Sequence, residues 1–197
     1  MARTKKYFII YKPYKVLTQF TEEDGNPGLG SIYELPKDVY AVGRLDLDSE
    51  GLLILTNDKV LNQALLNPKH QHKRTYWVEV EGVPSEESLN ELRNGLDINV
   101  KGIYRTLPCE AQLIEPTGLP ERNPPVNFQK HPERSWLEIK LVEGKNRQVR
   151  KMTAKIGHPT LRLIRVAIED LKLFPLAPGG ITQISEKVLY KKLKLEE

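Results

Sequence analysis

The chain has 197 residues, of which 39% are hydrophobic and 28% charged. This composition excludes long disordered tracts, collagen and coiled coils, and the length suits one domain with a substantial core. The 30 basic and 26 acidic side chains leave a formal net charge of +4. A single cysteine, Cys109, excludes an internal disulfide and a multi-cysteine zinc site, which favours a reducing compartment. No apolar run is long enough to cross a membrane and no secretory signal is recognisable, so we expect a soluble, cytoplasmic protein.

Apolar periodicity and turn residues predict a mixed α+β protein. In chain order, strands are predicted over Tyr7–Tyr11, Val16–Phe20, Val39–Val42, Leu52–Thr56, Thr75–Glu81, Cys109–Glu115, Ser135–Val142 and Leu161–Ile168. Helices are predicted from the cap Asp58 through Leu66, over Ser85–Asn94, from about Lys145 to Ile156, and from about Ser185. Full helices separate few of the strands, which favours a large, mainly antiparallel sheet with flanking helices. We predict a single domain, residues 1–197, with two lobes of about 1–72 and 73–197.

The basic residues are concentrated in one part of the chain. From Lys130 to Arg165, ten basic side chains accompany three acidic ones, a net charge of +7. Such clustering is typical of nucleic-acid binders, although ordinary solvated surfaces carry similar runs. From Glu22 to Asp58 the balance is reversed, with nine carboxylates and two basic residues. Such an acidic segment repels a polyanion, so the two are expected to meet only if a residue of the segment is catalytic.

The acidic segment contains Gly43-Arg44-Leu45-Asp46-Leu47-Asp48-Ser49-Glu50-Gly51, for which three interpretations compete. A polar turn between two strands is the simplest. A calcium loop is disfavoured because Asn57 stands where the bidentate glutamate is required. A phosphatase of the haloacid-dehalogenase type, using Asp46 and Asp48, requires alternating strands and helices, which the predicted elements lack.

A second candidate is the basic stretch Lys145-Asn146-Arg147-Gln148-Val149-Arg150-Lys151-Met152. In a helix that begins at Lys145, this residue shares the apolar face with Val149 and Met152. The cations of the outward face are then Arg147, Arg150, Lys151 and Lys155. A buried ammonium group needs an acidic partner, and the first turn of a helix disfavours a cation. We therefore expect Lys145 to point inward for a functional reason; the alternative is a helix that starts one or two residues later, with Lys145 directed to solvent.

A third candidate is Lys73-Arg74-Thr75-Tyr76-Trp77, where basic and aromatic residues alternate at the start of a strand. A lone tyrosine in a strand is most often a core residue. Beside a nucleic-acid surface, the ring of Tyr76 can instead stack on a base, a contact worth about 1–3 kcal/mol.

Taken together, these residues resemble the successive motifs of the RsuA-type ribosomal RNA pseudouridine synthases. The motifs are Gly43–Leu53, Lys73-x-x-Tyr76, Glu143–Arg150, and Gly157-His158-Pro159 with Leu163-x-Arg165. They run in order through most of the chain, from about Tyr7 to Ile168. The chain departs from the family plan in two respects. The N-terminal S4-type RNA-binding domain is not expected here, and Ser49 stands where threonine is common.

The resemblance implies the pseudouridine synthase fold with a central active-site cleft, and isomerisation of a specific uridine in 23S (large-subunit) ribosomal RNA. Asp46 would be the nucleophile, held ionised by charge pairing with Lys145. Tyr76 would stack on the uracil and Leu163 would line the pocket. Because a stacked base is out of reach, the uridine must be flipped out, and Arg44 would enter the space it leaves.

The resemblance also implies how the RNA is held and what else is needed. Arg147, Arg150 and Lys151 would bind phosphates, with Arg165 as a further RNA-binding residue. Isomerisation involves no net redox change and no hydrolysis, so we expect no cofactor and no metal ion. The expected partner is ribosomal RNA, without a membrane or an obligate protein partner, and the expected state is a monomer. Two alternatives stay open: a non-catalytic RNA-binding module, and a metal-dependent phosphatase that uses Asp46 and Asp48.

Overall fold

Most strands form where β-branched and aromatic residues cluster, and three helices begin after a Ser or Asp cap. The computed structural model describes residues 4–195. Their strands are β1 (Tyr7–Lys12), β2 (Tyr40–Ala41), β3 (Glu50–Thr56), β4 (Arg74–Glu81), β5 (Asp97–Asn99), β6 (Ile103–Arg105), β7 (Glu110–Ile114), β8 (Arg134–Leu141), β9 (Thr160–Ile168), β10 (Leu171–Lys172) and β11 (Ile181–Gln183). Their helices are α1 (Lys59–Leu66), α2 (Glu86–Arg93), α3 (Gln148–Lys155) and α4 (Glu186–Lys192). The fold is mixed α+β with a large, mainly antiparallel sheet, as predicted.

The described residues divide into two compact units. The first contains the residues up to His72 and those from Arg165 onward, and the second is Lys73–Ile164. The predicted second lobe, 73–197, is therefore too long. Its C-terminal part belongs to the first unit because β11 pairs with β1, and because the hydroxyl of Tyr190 in α4 donates to Asp58 at 2.8 Å.

The first unit is built on strands in the order β11-β1-β3, with residues 165–168 of β9. β1 and β3 pair antiparallel from Tyr7 opposite Thr56 to Lys12 opposite Gly51. A side chain at Gly51 would collide with the backbone of Arg165, so glycine at this position permits the close approach of β9. The core of this unit is a cluster of aliphatic and aromatic residues: Ile10, Val16, Leu29, Tyr33, Val39, Leu45, Leu53 and Leu55.

A hydrogen-bond network around Asp58 connects distant segments of the first unit. The carboxylate caps α1 by accepting from the backbone N–H of Val60, and it accepts from the hydroxyls of Tyr7 and Tyr190 at 2.7 and 2.8 Å. Lys5 forms an ion pair with it at 3.1 Å. Burial opposes ionisation of Asp58, but these hydrogen bonds outweigh it and lower the pKa of the carboxyl to about 2.

The second unit contains strands in the order β4-β8-β7, with residues 160–164 of β9. β4 and β8 pair antiparallel over their whole length, from Arg74 opposite Leu141 to Glu81 opposite Arg134. One face of these strands packs with α2 and α3 on a core that is closed to solvent. Its members include Val78, Val80, Leu89, Leu92, Leu137, Ile139, Val149 and Met152.

One prediction of local structure is wrong, and one hairpin was not predicted. Residues 16–20 form no strand, because their backbone groups bond to loops; the N–H of Leu17, for example, donates to Pro27 at 2.9 Å. The hairpin of β5 and β6 was not predicted, because three-residue strands carry too little alternation to detect. Within residues 4–195, no helix has the length and apolar character that crossing a membrane requires.

Candidate active site

The segment between β2 and β3, residues 43–49, is called the Asp46 loop below. Gly43 begins it with a φ of +73°, a left-handed conformation that favours glycine. Leu45 is buried in the core of the first unit, whereas Asp46 is only half-buried. The N–H of Ser49 donates to the Asp46 carbonyl oxygen at 3.0 Å, which closes a turn around the aspartate. The loop therefore combines an anchored backbone with an acidic side chain that solvent can reach.

A buried lysine lies close to the Asp46 loop. Lys12 ends β1, is 0% exposed, and donates from Nζ to the carbonyl oxygens of Val16 at 2.6 Å and Pro13 at 2.9 Å. Burial lowers the pKa of Lys12 to about 8, and the negative charges of Glu50 and of the two aspartates in the loop oppose that shift. The sequence predictions missed Lys12. The available signal was a lysine at the end of a strand whose other residues are apolar or aromatic.

Two arginines of the first unit were predicted to bind RNA, and they differ in exposure. Arg44 in the Asp46 loop is exposed. Arg165 is only 5% exposed, and its Nε donates to the backbone oxygen of Leu52 at 2.9 Å. Arg165 thus has a structural contact between β9 and β3, and its role toward RNA stays a prediction.

Lys145 does not lie on a helix. Helix α3 begins only at Gln148, and the preceding residue, Arg147, has a left-handed φ of +52° that interrupts the helical backbone. Lys145 is exposed, so the predicted helix start and the inward face for Lys145 are wrong. The alternative of a later start is closer to the observed structure. The Lys145 Nζ lies 4.6 Å from the ring centroid of Tyr104, a cation–π distance.

The loop that carries Lys145, residues 142–147, is called the Lys145 loop below, and side chains hold it in place. Glu143 accepts hydrogen bonds from the hydroxyl of Tyr104, from the N–H of Leu107 and from the side chain of Gln148. The Gln148 amide oxygen in turn accepts from the N–H of Lys145 at 2.9 Å. The carboxylate of Glu143 and the amide of Gln148 therefore fix the conformation of the loop. Neither residue had been assigned this function from the sequence.

Tyr76 and Leu163 belong to the same part of the second unit. Tyr76 lies on β4, is half-buried and packs against the core cluster of which Leu163, on β9, is a buried member. An aromatic ring that is partly open to solvent beside an aliphatic side chain can receive a flat, unpaired base. The predicted roles of both residues are compatible with this arrangement and stay predictions.

The cations at the start of α3 and just before it are not equally accessible. Arg147 is exposed, whereas Arg150 and Lys151 are half-buried. A guanidinium nitrogen of Arg150 lies 3.5 Å from the carbonyl oxygen of Thr160, and the Lys151 Nζ lies 3.4 Å from the side-chain oxygen of Asn146. Of these three cations, Arg147 is the one that most resembles the predicted outward phosphate contact.

The predicted site residues fall into two groups. Asp46, Arg44 and Arg165 belong to the first unit, and the remaining ones belong to the second: Tyr76, Lys145, Arg147, Arg150, Lys151 and Leu163. The pairing of Asp46 with Lys145 joins residues of different units and stays a prediction. Within residues 4–195, no group of three or more His, Cys, Asp or Glu side chains is arranged to hold a metal ion. The calcium and phosphatase interpretations of the Asp46 loop thus gain no support from the described donors.

Comparison with known proteins agrees with the motifs. The family model described as RNA pseudouridylate synthase matches residues 6–155, a segment that contains Asp46, Tyr76 and Lys145. The chain is 48% identical over 182 residues to the ribosomal large subunit pseudouridine synthase E of Vibrio parahaemolyticus. The aligned residues make up 92% of this chain and 75% of that protein. It is also 48% identical over 172 residues to the synthase E of Xanthomonas axonopodis pv. citri, covering 86% and 89%.

A solved structure supports the fold independently. A crystal structure of a pseudouridylate synthase matches with a TM-score of 0.78 at 22% identity, covering 96% of this chain and 74% of the other. The agreement in fold extends beyond the residues that the family model matches. The order of the motifs, the mixed α+β fold and the matches to known sequences therefore lead to one conclusion: the chain belongs to the RNA pseudouridylate synthase family.

Proposed function

We propose that this protein converts a specific uridine of large-subunit ribosomal RNA into pseudouridine. The observation that carries the proposal is the similarity, over most of the chain, to proteins named ribosomal large subunit pseudouridine synthase E. The basic segment 130–165, with its net charge of +7, is suited to an RNA substrate. No comparable support exists for a phosphatase or for a non-catalytic RNA-binding module.

Asp46 is the nucleophile in this proposal. The glycosidic bond between C1′ and N1 of the uridine breaks, the uracil rotates, and a new bond joins C1′ to C5. The base loses the proton from C5 and gains one at N1, so the reaction is balanced without an oxidant, a reductant or water. A carboxylate suits this chemistry because it can form a covalent adduct and then leave. The half-buried position of Asp46 in an anchored loop supports the assignment.

The other residues hold the flipped-out nucleotide. Tyr76 stacks on the uracil and Leu163 lines its pocket, while Arg44 fills the space that the base leaves in the RNA. Lys145 supplies positive charge to the aspartate. Its ammonium group is exposed and in contact with the Tyr104 ring, and it is carried by a loop and not by a helix.

The phosphates of the RNA are bound by Arg147, Arg150 and Lys151 at the start of α3, with Arg147 as the most accessible of them, and Arg165 is a further RNA-binding residue. These contacts contribute affinity and salt dependence more than sequence choice. The proposal includes a monomeric enzyme that acts without a protein partner, a metal ion or a cofactor. Light scattering of the protein alone and with RNA tests whether the enzyme is a monomer. Activity in the presence of a chelator tests whether it needs a metal ion.

Replacement of the nucleophile tests the proposal. Pseudouridines in large-subunit RNA are mapped in cells that contain the wild-type protein, that lack it, or that carry Asp46→Asn. We expect one position to depend on the protein, and Asp46→Asn to leave that position unmodified while still binding RNA fragments. The matched control is Asp48→Asn, which makes the same change of charge two residues away in the same loop and should retain the modification.

Three results would contradict the proposal. If no pseudouridine depends on the protein, large-subunit RNA is not its substrate. If Asp46→Asn retains full activity, Asp46 is not the nucleophile. If activity is lost with a chelator, or with Asp46→Asn and Asp48→Asn alike, the metal-dependent alternative becomes the better explanation.

A further inference from the structure

The side chain of Thr18 contacts the peptide groups next to the proposed nucleophile. Thr18 is 6% exposed and lies in the irregular segment that follows β1. Its hydroxyl accepts a hydrogen bond from the N–H of Leu45 at 3.0 Å and donates one to the carbonyl oxygen of Leu45 at 2.6 Å. A hydroxyl has one proton and two lone pairs, so it makes both bonds at the same time.

These two bonds restrict the backbone that leads into Asp46. The carbonyl group of Leu45 belongs to the peptide bond that it shares with Asp46, so the Thr18 hydroxyl fixes the plane of that peptide. The Leu45 side chain is buried in the core of the first unit and fixes the same residue from its other side. The backbone that precedes Asp46 is thus held by one polar and one apolar contact.

The backbone after Asp46 is held as well. The Asp46 carbonyl oxygen accepts from the N–H of Ser49 at 3.0 Å, and the Leu47 carbonyl oxygen accepts from the N–H of Lys15 at 2.9 Å. Lys15 and Thr18 lie in the same short segment. That segment therefore contacts the Asp46 loop on both sides of the aspartate, and Thr18 does so through its side chain.

We propose that Thr18 is a positioning residue for the isomerisation, because its hydroxyl sets the place from which the Asp46 carboxylate attacks; this inference rests on the proposed function. Attack requires the reacting atoms to be about 3–3.5 Å apart and aligned, and a displacement of about 1 Å can cost about 100-fold in rate. The Thr18 hydroxyl touches neither substrate nor carboxylate, so its effect is on the rate of reaction and not on RNA binding.

The test compares Thr18→Val with Thr18→Ser. Valine keeps the shape of threonine and removes the hydroxyl, whereas serine keeps the hydroxyl and removes the methyl group. We expect Thr18→Val to lower the single-turnover rate at saturating enzyme about 10- to 100-fold, with the Kd for RNA changed less than twofold. Thr18→Ser should stay within about threefold of the wild-type rate, even where it is less stable.

Thr56→Val is the matched control. Thr56 is 0% exposed, and its hydroxyl also accepts from a backbone N–H, that of Asp58 at 3.0 Å, and donates to a carbonyl oxygen, that of Lys6 at 2.7 Å. It lies on β3, outside the Asp46 loop and the Lys145 loop. We expect Thr56→Val to lower the melting temperature as Thr18→Val does and to leave the single-turnover rate at the wild-type value.

The possible results separate this inference from the proposed function. If the wild type is active, Asp46→Asn is inactive and Thr18→Val reacts as fast as the wild type, Thr18 has a structural role only and the inference is wrong. The same conclusion follows if Thr18→Ser is as slow as Thr18→Val. If Asp46→Asn is fully active, the proposed function fails whatever Thr18 does. Should Thr18→Val not fold, the pair Thr18→Ala and Thr56→Ala replaces it with the same expected split.

Discussion

The Asp46 loop and the Lys145 loop are held by different kinds of hydrogen bond. In the Asp46 loop, backbone groups are bonded to other backbone groups or to the hydroxyl of Thr18. In the Lys145 loop, the anchors are the side chains of Glu143 and Gln148. Most bonds of the first kind survive any substitution, since every residue other than proline carries them. Bonds of the second kind are lost with a single change, so the two loops should respond very differently to mutation.

The largest expected effect comes from the Lys145 ammonium itself. We expect Lys145→Met to lower kcat about 100- to 1,000-fold, the range seen when a preorganised charge is removed from a reaction centre. RNA affinity should change less than twofold, measured by filter binding. Arg147→Met should show the opposite result: kcat is unchanged, RNA binding is weaker, and the slope of log affinity against log salt concentration falls by about 1, as for one lost phosphate contact. A loss of affinity at an unchanged rate for Lys145→Met would place Lys145 among the phosphate contacts.

The buried amine beside the Asp46 loop gives a pH-dependent effect on stability. The pKa of Lys12 is about 8 in the folded protein and close to its ordinary value of 10.5 when unfolded. Between these pH values the unfolded chain binds more protons, so the free energy of unfolding rises with pH. The gain is about 3 kcal/mol by linkage. Below pH 8 both states are protonated and the cost of burying the charge is fully present.

Urea unfolding at pH 7.5 and pH 10 of the wild type and Lys12→Met measures this contribution. Other groups that titrate in this range are shared by the two proteins, so the difference between them isolates Lys12. We expect the wild type to gain stability relative to Lys12→Met as the pH rises. A constant difference between the two proteins would show that the Lys12 ammonium is not destabilised by burial.

A smaller effect is expected from the anchor of the Lys145 loop. Glu143→Ala removes the acceptor for Tyr104, Leu107 and Gln148, and we expect it to lower kcat about 10-fold because Lys145 is no longer held in place. Glu143→Gln keeps an acceptor oxygen and should recover most of the rate. Glu133→Ala, a change at an exposed glutamate, is the control for loss of a negative charge. Equal rates for Glu143→Ala and Glu133→Ala would mean that the loop does not depend on this anchor.

The sequence predicted elements well where capping and periodicity agreed. Asp58 caps α1 and Ser85 caps α2, as their positions before amphipathic stretches indicated. Periodicity failed at Lys145, where the apolar spacing continues through residues that are not helical. The start of α3 is set by the left-handed backbone of Arg147 and by the hydrogen bond that the Gln148 side chain accepts from the N–H of Lys145. Neither feature leaves a periodic signal in the sequence.

The contact of Thr18 with the Asp46 loop could not be identified from the sequence. Its hydroxyl bonds to Leu45, which is 27 residues away in the chain, and its neighbours are ordinary strand and turn residues. Asp46, Tyr76 and Lys145 were selected because they fall on ordered motifs, which report chemistry and not packing. Residues that hold a loop in place become visible only when the partner backbone is placed beside them.

The division of the chain has a consequence for how the enzyme is made. Residues Lys73–Ile164 form one uninterrupted unit, which can fold while the ribosome is still translating the remainder. The other unit, which contains Asp46, is built from two separate segments, the residues up to His72 and those from Arg165 onward, which are joined by the pairing of β1 with β11. The segment that contains Asp46 is therefore translated first, but its unit is complete only after the residues from Arg165 onward have been made.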